Sequence, residues 1–174
     1  TLTAIAAIPA QPATRGVLVV VGGPQYRAGS HRQFTLLSRA LAADGFAVLR
    51  FDYRGMGDSS GAMRDFEDVD ADLRAAIDQF YATVPGLKDV VIWGLCDGAS
   101  AAMFYAERDP RVAGLVMLNP WARSEQVGAA TCVGLGVGVG FGVGVRVGVG
   151  VGNDCLAIVA VAEHPERTVD LPSA

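Results

Sequence analysis

The sequence predicts an α/β fold, a parallel sheet with helices on both faces. Three observations predict it. Four strand-like segments recur at residues 16–21 (GVLVVV), 46–52 (FAVLRFD), 90–93 (VVIW) and 112–118 (VAGLVML), of which the first, third and fourth are continuously apolar. Such continuous runs are how strands buried on both faces look. Stretches of helical period separate them, and right-handed crossovers then make the strands parallel. Each strand leads into a glycine-bearing loop or into Asn-Pro, and in such sheets functional residues gather at the carboxyl ends of the strands.

Length and composition bound the rest. The 174 residues, 51% of them hydrophobic, suffice for one domain with a sizeable core. The net charge is −4 with no basic block, which argues against nucleic acid as a partner. Cys96, Cys132 and Cys155 are odd in number and irregularly spaced. They suggest neither a disulfide framework nor a zinc site, and a cytoplasmic location fits best. No run of strong apolars predicts a membrane span. The opening TLTAIAAIPAQPA lacks a basic start, so a signal peptide is not expected. The first residue is Thr1, so an upstream segment is expected to be missing.

Taken in order, residues 1–15 suggest an edge strand ended by Pro9 and Pro12. After the first buried strand comes Gly22-Gly23-Pro24. Ser30 reads as the N-cap of a helix over residues 31–44, with Phe34, Leu37 and Leu41 on one face and Gly45 as its stop. The second buried strand leads into Arg54-Gly55-Met56-Gly57. A dinucleotide loop needs a third glycine at position 60, which is Ser60; Gly61 is one late. The segment therefore reads as a tight loop, and no cofactor is expected. Asp65 reads as the cap of a second helix reaching about Val84, with Phe66, Val69, Leu73, Ile77 and Phe80 at helical spacing. Glu67, Asp68, Asp70 and Asp72 crowd its start, where the helix dipole favours acids. They read as a solvated face, and no metal site is expected.

The third strand breaks at Gly94-Leu95-Cys96-Asp97-Gly98, and a run of small residues follows. This is the spacing of a nucleophile elbow, with Cys96 where serine is commoner. The glycines are needed because side chains at positions 94 and 98 collide across so sharp a turn. A thiol facing a helix N-terminus is biased toward thiolate. The plainer alternative is a buried cysteine in a strand-to-helix turn. Beyond about Val127 the character changes. Residues 133–152 alternate valine and glycine almost strictly, broken by Leu135, Phe141 and Arg146. Glycine at every second position weakens a strand, so residues 1–127 read as the core and 128–174 as a low-complexity tract with an atypical tail.

The segments VVVGGPQYRAGSHRQF, RFDYRGMGDSSG, DFEDVDADLRAAID, WGLCDGASAA and RDPRVAGLVMLNPW together resemble the α/β-hydrolase superfamily. Within it they are similar to the exosortase A system-associated hydrolase, type 1, over about residues 16–126. The resemblance implies a truncated α/β-hydrolase-like core, in a cytoplasmic hydrolase of bacterial exopolysaccharide and protein-sorting loci. It implies Cys96 as nucleophile and the backbone N–H of Asp97 as one oxyanion donor. The second donor is expected in the loop after Val21, where Gly22-Gly23-Pro24 resembles an HGGP loop with Val21 in place of His. Pro24 has no N–H, which leaves Gly23.

The fold places its acid and base after the nucleophile, in that order. The chain holds two histidines, His31 and His164. His31 precedes Cys96 and reads as a polar helix-start residue. Asp154 and His164 stand in the required order and are the candidate acid and base, although no strand-helix unit fits between them. The expectation is a hydrolase of ester or thioester bonds in a small acyl substrate, impaired by an incomplete triad. The alternative is a non-catalytic remnant or binding module of the same fold. A nucleotide-binding domain is a third reading, which the missing third glycine opposes.

Overall fold

The computed structural model describes residues 1–23 and 25–120 in full, and residues 144–148 and 157–163 as backbone strands. Pro24, Cys132, Asp154, Cys155, His164 and most of the valine-glycine tract lie outside the described residues. The elements are β1 (Ala4–Ala7), β2 (Arg15–Val20), α1 (Gln33–Ala43), β3 (Ala47–Phe51), α2 (Asp70–Thr83), β4 (Asp89–Leu95), α3 (Asp97–Ala106), β5 (Val112–Leu118), β6 (Gly144–Gly148) and β7 (Ala157–Glu163). They build one sheet in the order β1-β3-β2-β4-β5-β7-β6. The central four strands are parallel, β2 lying between β3 and β4 with Val17 opposite both Val48 and Val91.

The continuous apolar runs follow from burial on both faces. Val17, Val19, Val21 and Val48 pack with Phe34 and Leu41 of α1 on one face. Leu18, Val20, Leu49 and Phe51 pack with Leu73, Ile77 and Phe80 of α2 and Tyr105 of α3 on the other. Trp93 meets Phe34 edge to face at 5.4 Å. Each full burial of such a side chain contributes about 1.5–3 kcal/mol.

The edge strand expected in residues 1–15 is β1, antiparallel to β3. The far edge of β5 pairs antiparallel with β7, Leu115 opposite Ala160, and β6 pairs outside β7. The strand from the valine-glycine repeat, β6, does not pair with β5 itself. The neighbour of β5 is instead AIVAVAE, which carries no glycine and forms the stronger strand.

Two caps differ from expectation. Ser30 starts a 3-10 turn, and α1 begins only at Gln33 with no side-chain cap. His31 and Arg32, at φ 49° and 61°, kink the chain between them. The Ser30 hydroxyl lies 3.2 Å from His31 Nδ1, and the first amides of α1, Phe34 and Thr35, donate to the Ala28 carbonyl. Asp65 likewise precedes a 3-10 turn without capping it, and α2 starts at Asp70.

Candidate active site

The loops after β2, β3, β4 and β5 lie at the carboxyl edge of the parallel strands. Cys96 sits between β4 and α3 at φ 51°, ψ −121°, a conformation uncommon for a side chain of its kind. Its N–H donates to the Leu118 carbonyl at 2.8 Å, and its own carbonyl accepts from Ala99 and Ser100 at 2.9 and 3.2 Å. The elbow is thereby tied to the end of β5 and to the first turn of α3. A Cβ on Gly94 would stand 2.6 Å from Gly98 O, and one on Gly98 2.4 Å from Val20 O. Both glycines are therefore required by close backbone approach.

Gly22 ties the second loop to the elbow. A Cβ there would lie 2.3 Å from Leu95 O and 2.8 Å from the Asp97 nitrogen. Gly23 follows at φ +61°, with open space where its Cβ would be. The structure thus sets the Gly22-Gly23 backbone beside the start of α3, whose first amides have no intrahelical partner. Cys96 and Asp97 are half-buried.

One site residue was missed in the sequence. The side-chain amide of Asn119, just after β5, donates through Nδ2 to Cys96 Sγ at 3.6 Å. Asn119 had been read only as a strand end. The signal was positional: Leu118 pairs with Leu95, so residue 119 follows opposite residue 96. Among the described residues no histidine bonds to Cys96. His31 is exposed and meets Ser30, while Asp154 and His164 fall outside them.

The loop after β3 is built around a carboxylate. Asp52 is 2% exposed and accepts from the Arg27 and Asp58 amides at 2.7 and 3.1 Å. It also pairs with the Arg27 guanidinium, which reaches Asp58 at 2.6 Å. Gly57, at φ +52°, lies against this carboxylate. A phosphate there would meet like charge, which counts against a nucleotide cradle. Asp72 corrects the reading of a solvated acidic face. It is buried and accepts from Arg54 N–H at 3.0 Å and Nε at 2.5 Å, because the loop needs an anchor on α2. Glu67 and Asp68 are exposed, and Asp70 pairs with Arg108. Tyr53, after β3, has its hydroxyl buried without a hydrogen-bond partner among the described residues. Burial, then the charges of Asp97 and Asp72, pushes its ionisation far up.

Among the described residues no group of His, Cys, Asp and Glu is placed to hold a metal ion. No helix among them is long and apolar enough to cross a membrane.

A family model described as serine aminopeptidase, S33, matches residues 12–137. Over 95 residues the chain is 35% identical to the quorum-quenching protein AidA of Acinetobacter baumannii (strain MDR-ZJ06), covering 51% of this chain and 31% of AidA. An α/β serine hydrolase without a lid from Xanthomonas campestris superposes with a TM-score of 0.55 at 25% identity, over 75% of this chain and 61% of that one. Est1E from Butyrivibrio proteoclasticus, solved with ferulic acid bound, gives 0.59 at 22%, over 68% and 49%. A thermostable carboxyl esterase from Bacillus coagulans gives 0.56 at 20%, over 68% and 39%. The last two likenesses speak for the fold alone. The chain spans less than a third of the curated relative it matches.

Proposed function

The chain belongs to the serine aminopeptidase, S33, family of α/β hydrolases, and we propose that it cleaves ester or thioester bonds of a small acyl substrate with Cys96 as nucleophile. The observation that carries this reading is the backbone of Cys96, held at positive φ between β4 and α3 by glycines that admit no Cβ. A side chain so placed stands clear of the strand and faces a helix N-terminus.

The Cys96 thiolate attacks the carbonyl carbon and forms a C–S bond. Negative charge moves to the carbonyl oxygen, where the N–H groups of Asp97 and Gly23 receive it. Collapse expels the alkoxide or thiolate, which takes a proton from solvent, and leaves an acyl thioester on Cys96. Water must then attack that thioester, and the second step needs a base. His31 lies on the wrong side of the chain order, and Asp154 with His164 is the remaining candidate pair. Loss of a general base costs about a hundred- to ten-thousand-fold in rate. The proposed enzyme is therefore acylated readily and turns over poorly. The resemblance of five motifs to exosortase A-associated hydrolases of type 1 supports placing it with cytoplasmic enzymes of exopolysaccharide loci. The match to the serine aminopeptidase, S33, family supports hydrolytic chemistry at a carbonyl.

p-Nitrophenyl acetate tests this. The expected trace is a burst of up to one equivalent of nitrophenol, with an acetyl group on Cys96 by mass spectrometry, then a near-flat line. Absence of acetyl on Cys96 in folded protein defeats the reading and leaves a non-catalytic module of the same fold. Steady turnover lost in His164→Ala would make Asp154 and His164 a working pair. Turnover lost in His31→Ala instead would put the base ahead of the nucleophile.

A further inference from the structure

The Cys96 sulfur has one hydrogen-bond donor among the described residues, the side-chain amide of Asn119 at 3.6 Å. We propose that Asn119 is a positioning residue for Cys96, holding its sulfur as a thiolate and fixing its direction of attack. The proposal rests on Cys96 being the nucleophile.

The placement is rigid on both sides. The Cys96 N–H is bonded to the Leu118 carbonyl at 2.8 Å, and Leu95 pairs with Leu118 in the ladder. Residues 96 and 119 are therefore held opposite each other by backbone alone. Asn119 stands at φ 50°, a left-handed conformation in which asparagine is far better tolerated than most residues. The turn this creates ends β5 and leaves the amide on the sulfur.

The chemistry of the amide suits the task. Its Nδ2 donates and its Oδ1 accepts, and a thiolate only accepts. The contact, Nδ2 with Sγ at 3.6 Å, sets a donor against the sulfur. Charge-assisted hydrogen bonds are about twice as strong as neutral ones, so the amide favours the charged sulfur over the thiol. An amide takes up no proton at neutral pH. Asn119 therefore supports the first half of the reaction and supplies nothing to the second.

The test compares Asn119→Gly and Asn119→Asp, both of which suit a positive φ. Each retains Asp97, next to Cys96 on α3, and Tyr53, whose ionisation the Asp97 charge raises. Alkylation of Cys96 by iodoacetamide is followed by mass spectrometry from pH 5 to 9 (about the range over which thiols ionise), with Cys132 and Cys155 as references in the same molecule. Both variants should slow Cys96 about tenfold at neutral pH, the scale of a hydrogen bond to a charged group. Both should move its profile to higher pH, Asp further than Gly because it adds like charge. A purely structural role would loosen the fold, seen by circular dichroism, without moving that profile. A folded variant that overlays the parent profile overturns the proposal. The unaltered chain gives a second check that needs no variant to fold. The Asn119 side-chain amide resonance should shift with pH in step with Cys96 alkylation, and a resonance that stays fixed across the profile overturns it. If Asn119 controls alkylation while p-nitrophenyl acetate leaves no acetyl on Cys96, the positioning role stands and the hydrolase reading falls.

Discussion

Gly98→Ala is the sharpest test of how the elbow is built. The added methyl would sit 2.4 Å from the Val20 carbonyl oxygen, 2.9 Å from its carbon and 3.0 Å from the Val21 carbon. All three are backbone atoms at the buried end of β2 and cannot rotate away. To regain an ordinary contact, the first turn of α3 must withdraw by about 1 Å, and overpacking of this kind costs about 1–3 kcal/mol. Replacing a helical glycine by alanine returns about 0.5–1 kcal/mol. The net loss is then at most about 2.5 kcal/mol, a fall in Tm of up to about 10 °C for a chain of this size. Activity should suffer more than stability. The withdrawal carries the Asp97 N–H away from Gly23, and a 1 Å misplacement costs about a hundredfold in rate. The assay is the rate of Cys96 acetylation by p-nitrophenyl acetate beside a thermal melt. Gly86→Ala is the control: it strains a backbone at φ +96° with open space around it, before the amino end of β4, whereas the elbow follows its carboxyl end. It should lower Tm and leave acetylation alone. Parent-like acetylation in Gly98→Ala would falsify the proposed oxyanion geometry, whatever the melt shows.

Two further outcomes concern the scaffold. Asp109 is 2% exposed and accepts from the Tyr105 hydroxyl at 2.6 Å and from Arg111 at 2.7 and 2.9 Å. The Arg111 hydrogen bonds, with help from Tyr105, outweigh burial and hold its carboxyl well below the usual range. Its stabilisation is thus present above the unfolded value, about pH 4, and is lost as pH falls from there through the lowered folded value. Asp109→Asn should cost about 2–4 kcal/mol at pH 7 and flatten the acid limb of Tm against pH; an unchanged limb would refute the assignment. Deleting residues 133–174 should leave the far-UV helical signal of α1 to α3 nearly unchanged. It should also raise aggregation by light scattering, because it uncovers the edge of β5; loss of the helical signal would show that the tail is needed by the core.

The order of elements was legible because burial on both faces writes itself as unbroken apolar runs. GVLVVV and VAGLVML could hardly be read otherwise. The elbow was legible because a close backbone approach admits only glycine, at Gly94 and Gly98; the matching need at Gly22 appeared only in the structure. The helix starts were not. Ser30 and Asp65 have the chemistry of caps, but the kink at His31 and Arg32 and the 3-10 turn after Asp65 decided where the helices begin. Asp72 was taken for surface because its neighbours in sequence are acidic. Its partner Arg54 lies in another loop, and a single sequence carries no sign of that pairing. Asn119 was hidden for the same reason. A strand-ending asparagine acquires meaning only when the register sets it opposite Cys96.

The two halves of the proposed reaction draw on different parts of the chain, and this decides what the fold can do by itself. Attack on a carbonyl needs a nucleophile, two oxyanion donors and a fixed direction. Cys96, the N–H groups of Asp97 and Gly23, and Asn119 all lie within residues 23–119, at the ends of three adjacent parallel strands. Backbone contacts over-determine their positions: Gly22 against the Asp97 nitrogen, Gly98 against Val20, and the Cys96 N–H on Leu118. Such a half-site is stable because it is core packing before it is chemistry. Hydrolysis of the thioester needs a proton acceptor that reaches the same point from beyond β5. An amide at 3.6 Å can hold the sulfur and cannot take that proton. The cysteine makes the imbalance workable, since a thiolate attacks without a base whereas serine at the same position would need one before the first step. Cys96→Ser should therefore abolish the burst in folded protein. A serine variant that still acylates would mean that a base reaches residue 96, and the case for a half-completed reaction would fail.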